Sequence, residues 1–221
     1  GEVRGEEEID GTPYHFHPTS LNQNSNLLNY ADVFNFSELE AYQGAAVRTL
    51  MRQAQESKPA ILHSASNFVV GMAGAEAAKR LGIPSVYEIR GFWHLTQATK
   101  RLGYESSDHY HLSERLEFEV AKNSDHVFTI TRALREILIE QGIEPEKVSV
   151  LPNAVDPERF ALSSRDTELE DELGYDGKVV IGYIGSFVEY EGLDLLMEAV
   201  AQLKNELGDV FRLLMVGDGS M

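Results

Sequence analysis

Short apolar runs and longer amphipathic segments alternate along most of the chain. The runs are bounded by turn residues, which is typical of buried strands, and the segments repeat apolar positions every three to four residues, which is typical of helices. The predicted strands are 60–63, 85–89, 126–130, 148–151, 179–184 and 212–216. The predicted helices are 38–56, 71–81, 109–122, 132–141 and a further one that begins near Leu193.

This alternation predicts an α/β fold class, in which right-handed βαβ units build parallel sheets. The acidic stretch 161–177 interrupts the alternation and is the best candidate for a linker. Residues 1–10 are acidic with few apolar positions, so we expect them to fray. Residues 18–37 are rich in Asn and Ser, and we expect a loop there.

Composition limits the classes of function. The chain has 19 Lys and Arg against 36 Asp and Glu, a formal net charge of −17, so free-standing nucleic-acid binding is not expected. It has no cysteine, which excludes disulfides, thiolate zinc sites and a Cys nucleophile. No apolar run approaches the roughly 18 residues of a membrane span, and no leader resembles a signal peptide, so we expect a cytoplasmic protein.

Both ends of the chain look cut. It opens on Gly1 rather than Met, and it stops at Met221 directly after a predicted strand and a glycine turn. A parallel strand followed by such a turn needs a helix to cover its face. We therefore expect a fragment of a longer protein.

Parallel sheets bind ligands beyond the carboxyl ends of their strands, which directs attention to the residues that follow each predicted strand. Gly185 and Ser186 follow one strand, and Gly192 opens the next amphipathic helix. Glycine lets a backbone approach a phosphate, and a helix N-terminus offers free N–H groups. The alternative is a tight turn that needs glycine only for its backbone angles. Glu191 and the absence of Lys or Arg between residues 178 and 204 favour that alternative.

Three other strand ends carry candidate ligand-binding residues. Arg90 and Gly91 precede Phe92 and Trp93, so this turn either holds an anion beside an exposed aromatic surface or pairs its arginine with a carboxylate above core aromatics. The Thr131 hydroxyl is expected to cap the helix that follows it, which leaves ligand contact open. The fourth strand end contains Asn153, in what is otherwise a turn between domains.

The histidines do not predict a metal site. His15 and His17 form one alternating pair, and His109 and His111 form another, but neither pair has a third ligand at a suitable spacing. We expect His63 to be a satisfied core or loop residue rather than a general base. No G-x-S-x-G turn or Walker-type lysine is present, which argues against serine hydrolases and P-loop proteins.

Taken together, the strand-end segments resemble glycosyltransferase family 4. The motifs that carry the resemblance occur in that family's order: 59–64, 82–87, 125–131, V-x-L-P-N-A-V-D-x-x-x-F at 148–160, I-G-Y-I-G-S-F-x-x-x-x-G-L-D-L-L-M-E-A at 181–199 and R-L-L-M-V-G-D-G at 212–219. The variant E-I-R-G-F-W at 88–93 resembles members that build bacterial exopolysaccharide or capsule.

The resemblance implies a GT-B-like fold of two Rossmann-like parallel-sheet domains, both incomplete here. Residues 1–156 would be the N-terminal, acceptor-side domain, 157–177 the linker and 178–221 the start of the C-terminal, donor-binding domain. The family is retaining, and its co-substrate is a nucleotide-diphosphate sugar, without a further cofactor or metal. The acceptor would be a glycan or a lipid-linked glycan in polysaccharide biosynthesis.

The resemblance also implies roles for individual residues. Those expected near the donor diphosphate are Gly185, Ser186, Glu191 and Gly192. Arg90, Gly91 and Thr131 would line the N-domain wall of the cleft, with Asn153 at the interdomain edge. No residue of this chain is assigned as catalytic.

Three positions depart from the family pattern. Many members have basic residues where this chain has Ser186 and Glu191, and the position of Arg90 is commonly histidine. An arginine cannot act as a general base, and we hypothesise that Arg90 instead supplies part of the charge that neutralises the diphosphate. The third departure is Ala154, which stands in place of the usual glycine.

Two family elements fall outside the chain, a glycine-rich loop expected before Gly1 and two acidic residues eight positions apart expected after Met221. The chain alone is therefore expected to have no transferase activity. The intact enzyme could associate peripherally with the inner face of a membrane, and apolar faces intended for missing units could pair two copies of the chain.

Two other classes of function stay open. A non-catalytic scaffold or regulator with a glycosyltransferase fold would explain the lost basic pair. A dinucleotide-dependent oxidoreductase would use Gly71 and Gly74 as a phosphate turn and Glu88 as its ribose acid. Val69 occupies the first glycine position of that motif, and three residues intervene after the strand, which counts against the oxidoreductase.

Overall fold

The computed structural model describes residues 5–16, 36–175 and 177–220. His17 and most of the loop predicted at 18–37 lie outside these ranges. The chain divides into two compact units, unit 1 (Gly1–Asn153) and unit 2 (Ala154–Met221). The acceptor-side and donor-binding roles expected of the two halves stay predictions.

From the third strand to the seventh, each strand is followed by at least one α-helix. The strands are β1 (Glu6–Ile9), β2 (Thr12–His15), β3 (Leu62–Ala65), β4 (Ser85–Ile89), β5 (His126–Thr129), β6 (Val148–Val150), β7 (Val179–Ile184) and β8 (Phe211–Val216). The α-helices are α1 (Phe36–Ser57), α2 (Phe68–Leu81), α3 (Trp93–Lys100), α4 (Asp108–Asn123), α5 (Arg132–Glu140), α6 (Thr167–Leu173) and α7 (Leu193–Leu207).

Unit 1 is built on a four-stranded parallel sheet with the order β3-β4-β5-β6. Residues of one face of this sheet share a core with α2, α4 and α5, as right-handed connections between strands in sequential order require. The strands contribute Tyr87, Ile89 and Val127, and α5 contributes Leu138, all fully buried. The predicted α/β class with parallel sheets is confirmed.

The glycines of α2 allow close packing of the helix and do not form a phosphate turn. Asn67 caps the helix by accepting a hydrogen bond from the Val69 amide, so Gly71 and Gly74 lie inside the helix. A Cβ on Gly71 would lie 2.7 Å from the Tyr87 ring, and one on Gly74 would lie 1.9 Å from a side-chain oxygen of β3. The turn that a dinucleotide-binding oxidoreductase needs is absent at this position.

Unit 2 contains one βαβ unit, β7-α7-β8. The two strands pair in parallel over their whole length, from Val179 beside Phe211 to Ile184 beside Val216. The helix α6 precedes them, within the acidic stretch 161–177. Several apolar side chains of β7 and α7 are exposed in unit 2, including Ile184, at 84%, and Leu195.

The structure corrects three expectations. Residues 6–9, within the stretch 1–10 that was expected to fray, form strand β1 of an antiparallel hairpin with β2, although the side chains of both strands are exposed. The first strand of the sheet lies at Leu62–Ala65, two residues later than predicted. Helix α3 was not predicted, and it contains Trp93.

Candidate functional site

The carboxyl edge of the unit 1 sheet brings together three of the predicted turns. Ile89 aligns with Thr129, and Thr129 aligns with Val150, so the residues that follow β4, β5 and β6 emerge at one edge. Arg90 and Gly91, Thr131, and Asn153 all follow these strands, and Gly91 and Asn153 are exposed. This edge is where open parallel sheets bind ligands.

At this edge the carboxylate of Glu88 lies between two basic side chains. Its Oε1 accepts a 2.8 Å hydrogen bond from Nε of Arg90, and its Oε2 lies 3.0 Å from Nε2 of His63. The carboxylate side chain is only 12% exposed, whereas those of Arg90 and His63 are 62% and 39% exposed. We call these three residues, with Ser66, the Glu88 cluster.

Ser66 ties the ends of β3 and β4 together inside the cluster. Its hydroxyl accepts a 2.8 Å hydrogen bond from the Arg90 amide and donates to the Glu88 carbonyl at 3.2 Å. The Ser66 amide donates to the same carbonyl at 2.9 Å. The backbone that carries Arg90 is therefore fixed from the neighbouring strand.

Most of this cluster was not predicted from the sequence. Arg90 was a candidate, with a carboxylate partner as one alternative, and His63 was expected to be a satisfied core or loop residue. His63 has a carboxylate partner but is well exposed, so it is not a core residue. The cluster is visible only in the strand register, in which Ala65 aligns with Glu88 and brings the residues near it to the end of β4.

Thr131 has the capping role expected of it. Its Oγ1 accepts a 3.2 Å hydrogen bond from the Leu134 amide at the first turn of α5. The Thr129 hydroxyl donates to the Thr131 carbonyl at 3.1 Å, which holds the cap against the end of β5. Ligand contact by Thr131 stays a prediction.

The aromatic residues after Arg90 contribute to the core more than to an exposed platform. Phe92 is 4% exposed and packs edge-on against Phe118, with ring centroids 5.6 Å apart. Trp93 is half-buried in the first turn of α3. His94 is buried beneath Phe92, and burial lowers the pKa of its imidazole to about 4, so the ring is neutral near pH 7. The exposed aromatic alternative is wrong for Phe92.

Unit 2 places its four predicted residues around one glycine turn. Gly185 and Ser186 follow β7, and the Ser186 carbonyl accepts a 2.9 Å hydrogen bond from the Tyr183 hydroxyl. Glu191 ends a short 3₁₀ turn, and Gly192, with φ of +67°, leads into α7. Gly185 also lies against the end of β8, because its amide donates a 3.1 Å hydrogen bond to the Val216 carbonyl.

The cations nearest the two strands of unit 2 lie at the opposite edge from this turn. Lys178 precedes β7, Arg212 lies near the start of β8, and both bind the Asp209 carboxylate, at 2.9 and 2.6 Å. Hydrogen bonds from Arg212 and Lys178 hold the pKa of Asp209 well below its usual range. The glycine turn itself is flanked by the carboxylates of Glu189 and Glu191 rather than by basic side chains.

A groove of about 1040 Å³ lies elsewhere in unit 1. Its walls come from α1, α2 and α4, and its floor reaches Ser85 and Asp125, at the amino ends of β4 and β5. It does not contain any of the predicted site residues. Among the described residues, no His, Cys, Asp and Glu side chains are grouped in threes as metal ligands would be.

The family of this chain follows from a match that covers more than half of its residues. Residues 15–159 match the family described as Glycosyltransferase Family 4. The chain belongs to that family. The resemblance read from the sequence motifs is thereby confirmed.

Curated relatives are glycosyltransferases of several kinds. The chain is 29% identical over 182 residues to the GDP-mannose-dependent alpha-mannosyltransferase of Mycobacterium tuberculosis, which covers 80% of the chain and 43% of that protein. It is 30% identical over 167 residues to the D-inositol 3-phosphate glycosyltransferase of Stackebrandtia nassauensis, which covers 72% of the chain and 36% of that protein. The family 4 chain thus spans less than half the length of these relatives.

A solved structure supports the fold assignment. Anabaena Alr3699/HepE in complex with UDP matches 82% of this chain and 46% of its own, with a TM-score of 0.64 and 21% identity. The complex of the same protein with UDP-glucose matches with a TM-score of 0.60. The likeness confirms the GT-B fold expectation. Within the described residues of this family 4 chain, no helix is long and apolar enough to cross a membrane.

Proposed function

We propose that this chain is part of a glycosyltransferase that takes a sugar from a nucleotide-diphosphate sugar. The observation that carries the proposal is family membership, joined to the glycine turn between β7 and α7 in unit 2. Relatives include a GDP-mannose-dependent enzyme, and Alr3699/HepE binds UDP and UDP-glucose. The donor panel for any test therefore includes both nucleotides.

The donor diphosphate would be held by backbone groups of unit 2. Gly185 and Gly192 put no side chain in the way of a ligand at the carboxyl edge, and the first turn of α7, which no side chain caps, offers main-chain N–H groups and the positive end of a helix dipole. Ser186 and Glu191 supply no positive charge there, and Lys178 and Arg212 are bound to Asp209 at the other edge. We therefore expect weak donor binding and no sugar transfer by the chain alone.

Hexosyl transfer to a glycan or lipid-linked acceptor in polysaccharide biosynthesis is the finer form of the proposal. It is supported by the E-I-R-G-F-W segment and by a relative named as a UDP-Gal:alpha-D-GlcNAc-diphosphoundecaprenol alpha-1,3-galactosyltransferase, from Escherichia coli. Unit 1 would provide the acceptor side, with Arg90, Thr131 and Asn153 at the edge of its sheet.

A scaffold or regulator is the second candidate function. The acidic surroundings of the glycine turn favour it, since a diphosphate is repelled by Glu189 and Glu191. The two candidates differ in a measurable way, because a scaffold that has lost donor binding responds to no nucleotide-sugar.

Calorimetric titration of the purified chain with UDP-glucose and GDP-mannose tests the proposal. Replacing the carboxylate of Glu191 with an ammonium should strengthen binding of the preferred donor about tenfold, as a charge-assisted hydrogen bond to phosphate would. The matched control is Glu206→Lys, which makes the same change of charge on an exposed residue near the far end of α7. Equal effects of E191K and E206K, or no donor binding by any variant, would favour the scaffold.

A further inference from the structure

The geometry of the Glu88 cluster fixes two basic side chains on a single carboxylate. Oε1 of Glu88 accepts from Nε of Arg90 at 2.8 Å, and Oε2 lies 3.0 Å from Nε2 of His63. The carboxylate is largely buried, while both partners are exposed, Arg90 at the carboxyl edge of the sheet and His63 within β3, two residues before that strand ends. Glu88 is thus placed to orient two side chains that a ligand at this edge would meet.

The pairing changes what Arg90 can recognise. Glu88 offsets the charge of Arg90, so this ion pair has no surplus positive charge. A diphosphate needs surplus positive charge, and here it would approach a buried carboxylate in a chain whose formal net charge is −17. The cluster therefore conflicts with the hypothesis that Arg90 neutralises the donor diphosphate.

The hydrogen-bonding capacity of the cluster fits a neutral polyol instead. A guanidinium has five N–H donors, of which Nε is used by Glu88, and a carboxylate has about four lone-pair sites, of which Arg90 and His63 take one each. Donors and acceptors thus stand side by side. Adjacent sugar hydroxyls, each of which both donates and accepts, complement such a surface.

We infer that Glu88 is a positioning residue that holds Arg90 and His63 as a subsite for the hydroxyl groups of an uncharged sugar, and that it selects against free phosphate. The inference rests on the proposed function, because a transferase must hold a sugar acceptor as well as its donor. It goes beyond that proposal in naming a subsite formed by Arg90 and His63 and in giving Glu88 a selective role.

The test compares Glu88→Gln with wild type, using two kinds of probe. The probes are a set of methyl α-glycosides of glucose, galactose and mannose, and inorganic pyrophosphate, each followed by ligand-observed NMR and by amide shifts of the chain. The amide keeps the shape of the carboxylate but releases the charge of Arg90. We expect E88Q to weaken binding of the preferred glycoside about tenfold and to strengthen pyrophosphate binding by a similar factor.

Two further variants separate selection from a general loss of structure. Glu76→Gln removes the carboxylate of a 2.7 Å pair with Arg80 on the exposed side of α2, and it should change neither affinity. Arg90→Ala should weaken glycoside binding and abolish the pyrophosphate gain when combined with E88Q. Matched melting temperatures would show that E88Q is folded. If Glu88 had a purely structural role, E88Q would weaken the binding of both the glycoside and pyrophosphate.

Three results would overturn the inference: no glycoside binding by the wild-type chain, tighter wild-type binding of pyrophosphate than of any glycoside, or equal losses of both in E88Q. UDP titrated in parallel separates this inference from the proposed function. If UDP binds and the glycosides do not, only the role of the Glu88 cluster fails. If the glycosides bind and no nucleotide does, the proposed donor chemistry fails while the cluster retains its ligand class.

Discussion

The Tyr87 hydroxyl donates a 2.5 Å hydrogen bond to Oε1 of Glu117 inside the core of unit 1. The second oxygen of this carboxyl group accepts a 3.1 Å hydrogen bond from the Phe68 amide at the start of α2. Glu117 is 1% exposed, and burial raises the pKa of its carboxyl group to about 7, although both hydrogen bonds oppose the shift. One residue thus links α4, β4 and α2.

Glu117 is predicted to make unit 1 less stable as the pH rises. The unfolded chain loses this proton near the ordinary pKa of 4.5, whereas the folded chain keeps it to about pH 7, so the free energy of unfolding falls across that interval. In urea titrations, wild type should lose about 3 kcal/mol relative to Glu117→Gln between pH 4.5 and pH 7.5. Glu119→Gln, on the exposed side of the same helix, should follow wild type. A constant gap between wild type and E117Q would contradict this.

His94 is predicted to act in the opposite direction. Burial lowers the pKa of its imidazole from 6.5 to about 4. Between these pH values the unfolded chain binds a proton at this residue and the folded chain does not. Stability is therefore lost as the pH falls towards 4. His94→Phe should gain about 3 kcal/mol relative to wild type between pH 6.5 and pH 4, since Phe keeps the contacts with Phe92 and Tyr110 without titrating. Parallel denaturation curves at both pH values would refute it.

Gly74 is predicted to tolerate no side chain. An added Cβ would lie 1.9 Å from Oγ of Ser64, so Gly74→Ala should lower the free energy of unfolding by about 2 kcal/mol through overpacking. The control is Gly44→Ala in α1, where the nearest atom is the mobile end of Arg48 at 3.3 Å and helix propensity should add up to about 1 kcal/mol. Ser64→Ala in the G74A background should recover part of the loss. If G74A and G44A have the same effect, close packing at Gly74 is wrong.

The Thr131 hydroxyl is predicted to stabilise the folded chain by capping α5, whether or not a ligand is bound. Removing its hydroxyl leaves the Leu134 amide without its capping acceptor, which should cost about 1 kcal/mol in thermal or urea unfolding of Thr131→Ala. Thr131→Ser keeps the oxygen and should cost much less. Equal losses in the two variants would indicate that the methyl group, rather than the cap, stabilises this turn.

Two of the parallel strands could be predicted residue by residue because turn residues bound their apolar runs. β4 and β7 occupy the predicted residues, since Pro84 precedes the first run and Gly185 follows the second. The β1–β2 hairpin was missed because its strands bury no side chain, so Glu6 and its acidic neighbours carry no apolar alternation. Helix α2 begins three residues earlier than predicted because Asn67 caps it. A single capping residue indicates a helix start less clearly in the sequence than a glycine does, and the prediction began at Gly71.

The candidate site was predicted only in part, for a reason of register. Arg90 could be singled out by its place after a strand, but its partner Glu88 lies within that strand and resembles a core position. His63 lies 25 residues before Glu88, and only the parallel alignment of β3 with β4 brings them together. Sequence patterns show which residues end a strand, whereas side-chain pairs across strands depend on a register that one sequence does not display.

Amide-resolved NMR of the chain titrated with UDP-glucose and GDP-mannose tests the donor assignment most directly. One of the two donors is expected to shift the amides of Gly185, Ser186 and Gly192, at the turn between β7 and α7. Amides of Asp209 and Arg212, at the opposite edge of the same strands, should stay in place. Shifts confined to unit 1, or no shifts at saturating concentrations of either donor, would contradict the assignment of unit 2 as the donor side of a glycosyltransferase.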